Sequence, residues 1–297
     1  MKRAVIFLSV FFCVSFGFSQ TLNKEVIDAK GKAKLLGVID KEGLKKENYA
    51  SWFNKNYEAY LTNDKIIDKL RDSLRGYEIK VFLGTWCGDS KREVPRFYNV
   101  LEAADFPKSQ LQVIALDKTE EAYKKSPTGE EEGLNIHRVP TFVFYKDGKE
   151  VNRIVESPKE TLERDMLKIV GDNKYTPNYM AANYLHYLFQ SKTMEELNKM
   201  EMELVPKLSE FTKGSRELNT LGYVYLRSNQ MDKALYVFNM NTKIFPYKYN
   251  VYDSLGEAYL VDEDYDKASK HYNKVLELKP EDENAQAMLE KIEKERR

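Results

Sequence analysis

Cys87 is the position at which this chain could do covalent chemistry. It stands in Trp86-Cys87-Gly88-Asp89-Ser90, where an apolar run over 79–83 gives way to a stretch of helical periodicity. The sulfur therefore falls at a predicted helix N-terminus. Unpaired backbone N–H groups and the positive end of the helix dipole stabilise negative charge there, and the thiolate is the form that attacks disulfides. Lys91 and Arg92 reinforce that effect and Asp89 opposes it. Ser90, one helical turn on, offers the sulfur a hydroxyl but cannot close a disulfide with it. A mixed disulfide at Cys87 must then be resolved by a thiol on the substrate, a small thiol or another protein.

No other residues form a chemical constellation. His137 lies three positions before Pro140 and reads as an exposed loop histidine rather than a partner of Cys87. His186 and His271 fall on predicted helices away from any cluster. No set of His, Cys, Asp and Glu has metal-ligand spacing, and no glycine-rich phosphate loop is present, so neither a metal nor a cofactor is expected.

The first residues point to export. Met1-Lys2-Arg3 precedes an apolar stretch over 4–18, which is the layout of a signal peptide covering residues 1–19, with cleavage after Ser19. The stretch is too short to span a bilayer, and no later segment is apolar enough, so no membrane association is expected after cleavage. The periplasm is the expected compartment if the source is a Gram-negative bacterium, with secretion as the alternative. The chain has 47 basic and 47 acidic residues; without Lys2 and Arg3 the balance is 45 to 47, so nothing asks for a nucleic acid or an anionic membrane. Of the two cysteines, Cys13 leaves with the leader. Cys87 can then form no internal disulfide.

The elements that must position Cys87 follow from the pattern. Asn63 or Asp64 caps a helix bearing Ile66, Ile67, Leu70 and Leu74 on one face. Strands are expected over 79–83, 111–116, 141–145 and 150–155. The first two are continuous apolar runs joined through a helix, as in a buried parallel pair; the last two flank Asp147-Gly148, a hairpin signal. Ser157-Pro158-Lys159-Glu160 reads as a capping box opening a helix that ends near Gly171. These elements make one α/β domain over 63–172. Residues 20–62 read as an extension packed on it, with a short strand over 34–40 and an aromatic run through Tyr49, Trp52, Phe53, Tyr57 and Tyr60. The stretch 117–133, with Ser126-Pro127-Thr128-Gly129 and three consecutive glutamates, reads as a solvated loop.

Within 63–171 the residues resemble the thioredoxin family. Trp86-Cys87-Gly88 matches the start of its active-site motif, with Ser90 at the resolving cysteine. Pro95 falls where that family kinks its active-site helix, and Val139-Pro140-Thr141 looks like its cis-proline segment. The resemblance implies that Cys87 is the nucleophile, that Trp86, Gly88 and Ser90 surround it, and that Val139 and Pro140 position an extended substrate carrying protein thiols or disulfides. Val81 stands where thioredoxin has a buried aspartate, so the dithiol cycle is not carried over. Cys-Gly-Asp-Ser is also partly similar to the motif of monothiol glutaredoxins, but Trp86 and Val139-Pro140-Thr141 sit nearer thioredoxin.

Beyond Gly171 the pattern is wholly helical. At a spacing of 34 residues Leu221 matches Leu255, Gly222 Gly256, Tyr225 Tyr259, Ala234 Ala268, Phe238 Tyr272 and Pro246 Pro280. This is similar to the tetratricopeptide repeat, in which paired helices bury their faces only by stacking. The reading is a helical hairpin over 173–216, repeats over 217–250 and 251–284, and a capping helix over 285–297. A groove on such repeats implies a peptide or protein partner. The expectation is thus an α/β thioredoxin-like domain followed by an all-α helical repeat domain, acting as an exported thiol–disulfide oxidoreductase or isomerase. The alternative is a non-catalytic adaptor built from two protein-binding modules.

Overall fold

The computed structural model describes residues 21–171 and 174–296; the leader expected over 1–19 lies outside the described residues. In chain order the first part runs β1 (Lys24–Ile27), β2 (Ala33–Ile39), α1 (Lys41–Leu44), α2 (Glu47–Glu58), α3 (Asp64–Ser73), β3 (Glu78–Leu83), α4 (Gly88–Ala103), β4 (Leu111–Ala115), β5 (Thr141–Lys146), β6 (Lys149–Val155) and α5 (Leu162–Val170). Its strands form one sheet of order β1-β2-β4-β3-β5-β6. Only β3 and β4 are parallel, with Val81 opposite Val113; the other pairs are antiparallel.

Alternation along β3 divides the core. Val81 and Leu83 face a cluster filled by Phe53, Ile67, Phe97 and Met166 from α2, α3, α4 and α5. Phe82 points the other way, among Ile114, Val143, Ile136 and Val139. That second face is covered by the irregular segment between β4 and β5 rather than by a helix. The β5–β6 turn carries Asp147 and Gly148 at φ 52° and 73°, the paired positive values that a tight hairpin needs.

Two expectations are corrected here. Residues 20–62 are not a layer outside the domain: β2 pairs with β4 and β1 with β2, so a boundary at 63 cuts one sheet. The aromatic run does cover the core, with Tyr49 and Phe53 buried and Phe53 edge-on to Tyr98 of α4. Ser157 to Glu160 do not open a helix; α5 starts at Leu162, capped by Thr161. The buried Asp165 carboxylate instead accepts from the Lys159 and Glu160 N–H groups, 2.5 and 3.2 Å away, and from the Tyr175 hydroxyl at 2.9 Å. Those backbone donors are thus satisfied outside a helix.

The second part is α6 (Met180–Ser191), α7 (Met194–Lys199), α8 (Glu201–Phe211), α9 (Ser215–Leu226), α10 (Met231–Ile244), α11 (Tyr249–Val261), α12 (Tyr265–Leu278) and α13 (Glu283–Glu295). The pairs α9/α10 and α11/α12 are the two repeats, each starting two residues before the expected 217 and 251. The hairpin expected over 173–216 contains three helices, because its second limb breaks at Met200 between α7 and α8. The helices of each repeat approach closely at a glycine: a methyl at Gly222 would meet the Phe238 ring at 2.4 Å, and one at Gly256 the Tyr272 ring at 3.2 Å. Among the described residues no helix is long and apolar enough to cross a membrane.

The two parts share a core. Val155, the last residue of β6, is buried in the same cluster as Tyr179, Ala181, Leu185 and Leu218. Asn178 Nδ2 donates to the carbonyls of Val155 (3.3 Å) and Ser157 (2.8 Å), and Asn152 Nδ2 to that of Tyr175 (2.9 Å). Repeats and sheet are therefore joined through satisfied backbone groups as well as apolar contact.

Candidate functional site

Strand β3 ends at Leu83, and the chain turns through Gly84, Thr85 and Trp86 to place Cys87 as the N-cap of α4. Gly84 is required because a methyl there would lie 2.5 Å from the Trp86 indole. That indole is fixed by its Nε1–H, which donates to the Leu116 carbonyl at 2.9 Å. The Thr85 hydroxyl accepts from the Leu35 N–H of β2 at 3.2 Å. The N-terminal strands thus brace the turn two residues before the sulfur.

Cys87 is half-buried and is the one cysteine among the described residues. Its thiol donates to the Val139 carbonyl, 3.2 Å away, and the Val139–Pro140 peptide is cis. The fold therefore brings Trp86, Cys87, Val139 and Pro140 together across the end of β3, with Gly88 exposed beside them. Ser90 is placed differently. It is completely buried, and its hydroxyl accepts from the Gly84 N–H at 3.2 Å, while no hydrogen bond joins it to Cys87. Its role here is to hold the turn. Arg92, expected to act on the sulfur, donates to Asp89 at 2.8 Å and to Glu93 at 2.6 Å.

Two further expectations are overturned. His137 is not exposed: it is 1% accessible, packed edge-on against Tyr179, with Nδ1 3.2 Å from the Asn135 carbonyl and Nε2 without a partner. Burial pushes its pKa down to about 3, so it stays neutral and serves the core. Nor is the stretch 117–133 simply solvated. Lys34 pairs with Asp117, while Asp117 also accepts from the Lys118 N–H at 2.6 Å and the Thr119 N–H at 3.1 Å. Lys125 donates to the Arg227 carbonyl on the repeat side, and Glu120 pairs with Arg227 at 2.8 Å. Loop and repeats border a cleft of about 540 Å³ lined by Lys124, Glu131, His186, Tyr225 and Lys233.

This loop delivers the residue that sequence reasoning missed. Lys124 is 7% exposed, with its Nζ 5.9 Å from the Trp86 ring centre and 5.2 Å from that of Tyr123. Among the described residues its ammonium has no hydrogen bond or ion pair. Burial lowers its pKa to about 8; the Arg138 charge acts in the same direction, and the charges of Cys87 and Glu156 oppose it. Arg138 pairs with Glu156 at 3.5 Å, donates to the Arg216 carbonyl at 3.2 Å and lies 4.8 Å over the Tyr179 ring. Its Nε is buried without a partner. Glu156 in turn accepts from the Tyr179 hydroxyl. For Arg138 a signal existed, its position next to Val139-Pro140; for Lys124, inside a run of charged residues, there was none.

Among the described residues no group of three or more His, Cys, Asp or Glu could hold a metal ion. What the arrangement offers is a single half-buried sulfur bonded to the Val139 carbonyl, with Lys124 beside Trp86 and Arg138 next to Val139 in the chain.

Residues 41–168 match the family model described as Thioredoxin, and residues 249–282 that described as Tetratricopeptide repeat. A thioredoxin H-type from Oryza sativa subsp. indica is 30% identical over 90 residues, 30% of this chain and 66% of the relative. The chain thus spans a little under two thirds of that relative's length. A thioredoxin from Geodia cydonium is 31% identical over 87 residues, 29% of this chain and 73% of the relative. The TPR repeat-containing thioredoxin TDX of Arabidopsis thaliana is 31% identical over 86 residues, 29% of this chain and 20% of the relative. With its sulfur, cis-proline and sheet in this arrangement, the chain belongs to the thioredoxin family and carries tetratricopeptide repeats after its thioredoxin domain.

Proposed function

We propose that the protein is an exported thiol–disulfide oxidoreductase or isomerase that works through Cys87 alone, with its repeats recruiting a protein partner. The observation that carries this reading is the half-buried Cys87 sulfur at the N-cap of α4, 3.2 Å from the Val139 carbonyl. An extended substrate strand pairing with the backbone at Val139 would bring its own sulfur to Cys87. The thiolate forms a new S–S bond, and the electron pair of the broken bond leaves with the departing sulfur. With Ser90 buried and no second cysteine in the domain, release requires a thiol from the substrate, a small molecule or another protein. That requirement favours exchange and isomerisation over net dithiol reduction.

Export rests on the basic and apolar order of residues 2–18. Mass spectrometry of the protein recovered from its native host should find Gln20 at the N-terminus; an intact Met1 would remove this part of the proposal.

The redox part is tested by trapping. Native protein incubated with oxidised exported proteins should yield mixed disulfides that are lost in Cys87→Ser. If Cys87 labels readily with iodoacetamide yet traps nothing, the adaptor reading takes its place. That reading draws support from Ser90, whose hydroxyl is turned to Gly84 and away from the sulfur.

A further inference from the structure

We infer that the recess beside Cys87 selects cysteine-bearing peptide segments with an acidic residue next to their sulfur. This rests on the exchange chemistry proposed above and adds the class of substrate. The argument is one of charge. Lys124 is buried, with an ammonium that no carboxylate or carbonyl meets among the described residues. Arg138, one residue before the carbonyl that touches the sulfur, keeps a buried Nε–H without an acceptor. Near these two cations lies Glu156, a carboxylate already engaged by Arg138 and by the Tyr179 hydroxyl. Lys124 lies against the turn that carries the sulfur, its Nζ 5.9 Å from the ring centre of Trp86, the residue before Cys87.

Exchange supplies no counter-charge. When the thiolate bonds to the substrate sulfur, its charge departs on the leaving thiolate, and no net electrons enter or leave the site. Glu156 is bonded to Arg138, and no ion pair is formed by Lys124 among the described residues, so one cation in a poorly solvated place lacks a counter-charge in contact. An incoming carboxylate beside the substrate sulfur restores the balance and finds two unused donors waiting. A basic neighbour would add a third cation instead.

The test uses two short peptides identical except for Asp or Lys beside their cysteine, each presented as its mixed disulfide with 2-thiopyridine. The leaving group is neutral and its release is read by absorbance. Relative to a small neutral thiol, the native protein should favour the Asp peptide by about tenfold at low salt. The preference should collapse in Lys124→Met and persist in Lys124→Arg, with circular dichroism confirming that both are folded. Equal rates for the two peptides, with Cys87 still labelled by iodoacetamide, would overturn this inference alone. A preference that survives both Lys124→Met and Arg138→Met would do the same. A sulfur silent to iodoacetamide and to both peptides would overturn the exchange reading and this inference with it.

Discussion

A lysine buried beside an indole ring, without a counter-ion in contact, costs stability wherever it occurs. Lys124 is such a residue, and burial lowers its pKa to about 8. Below about 8 it is charged in both folded and unfolded states and the cost is fully present. Between about 8 and the ordinary 10.5 the unfolded chain holds the proton more tightly, so stability rises with pH. Lys124→Met should therefore stabilise the protein at pH 7 by about 2 kcal/mol, and the gain should fall by roughly half or more at pH 9.5. Urea unfolding at the two pH values measures both quantities; a variant less stable than the native chain at pH 7 would show that the lysine is satisfied after all. A charge retained at such a cost beside a nucleophile marks a functional position more strongly than the sulfur's surroundings alone.

At the level of elements, the repeats give a direct comparison. Replacing a helical glycine by alanine gains roughly 1 kcal/mol of helix propensity, and overpacking costs roughly 1–3 kcal/mol. At Gly222 the added methyl would lie 2.4 Å from the rigid Phe238 ring, whereas at Gly256 the nearest Tyr272 atoms are 3.2 Å away. Gly222→Ala should lower stability by about 1–2 kcal/mol, while Gly256→Ala stays within about 0.5 kcal/mol of the native protein. Equal effects in thermal unfolding would contradict the difference in packing. The same glycines explain what was legible in the sequence. Gly222, Phe238 and their partners 34 residues on recur because one packing problem is solved twice, so the period was visible. Helices α6 to α8 solve theirs once, with a break at Met200, and left no such trace. Strands β3 to β6 could be read from apolar runs and Asp147-Gly148. The capping box at Ser157 misled because the buried Asp165, on the following helix, supplies the acceptors. Cys87 and Pro140 announced themselves by motif. Lys124 did not, because only the folded path of a charged loop buries it.

Across the whole molecule, sheet and repeats share a core, since Val155 and Tyr179 sit among the residues of α6 and α9. What perturbs that junction should be felt throughout. His137 lies there, edge-on to Tyr179, held neutral with its pKa near 3 by burial. His186, bonded to Tyr225 across α6 and α9, and His271, stacked on Tyr259, are each lowered by burial to about 4. In the unfolded chain each imidazole takes a proton near the ordinary 6.5, so the unfolded state binds more protons as pH falls from about 6.5 toward 4. Folding stability must drop over that window, before the carboxylates titrate. For His137 alone the loss between pH 7 and pH 5 amounts to about 2 kcal/mol. His137→Leu, which also removes the unpartnered Nε2, should flatten the pH dependence by that amount while leaving one cooperative transition for both parts. Urea unfolding followed at pH 7 and pH 5 decides it. An unchanged pH slope would mean that His137 is protonated in the folded protein, and two separate transitions would mean that the shared core does not couple the sheet to the repeats.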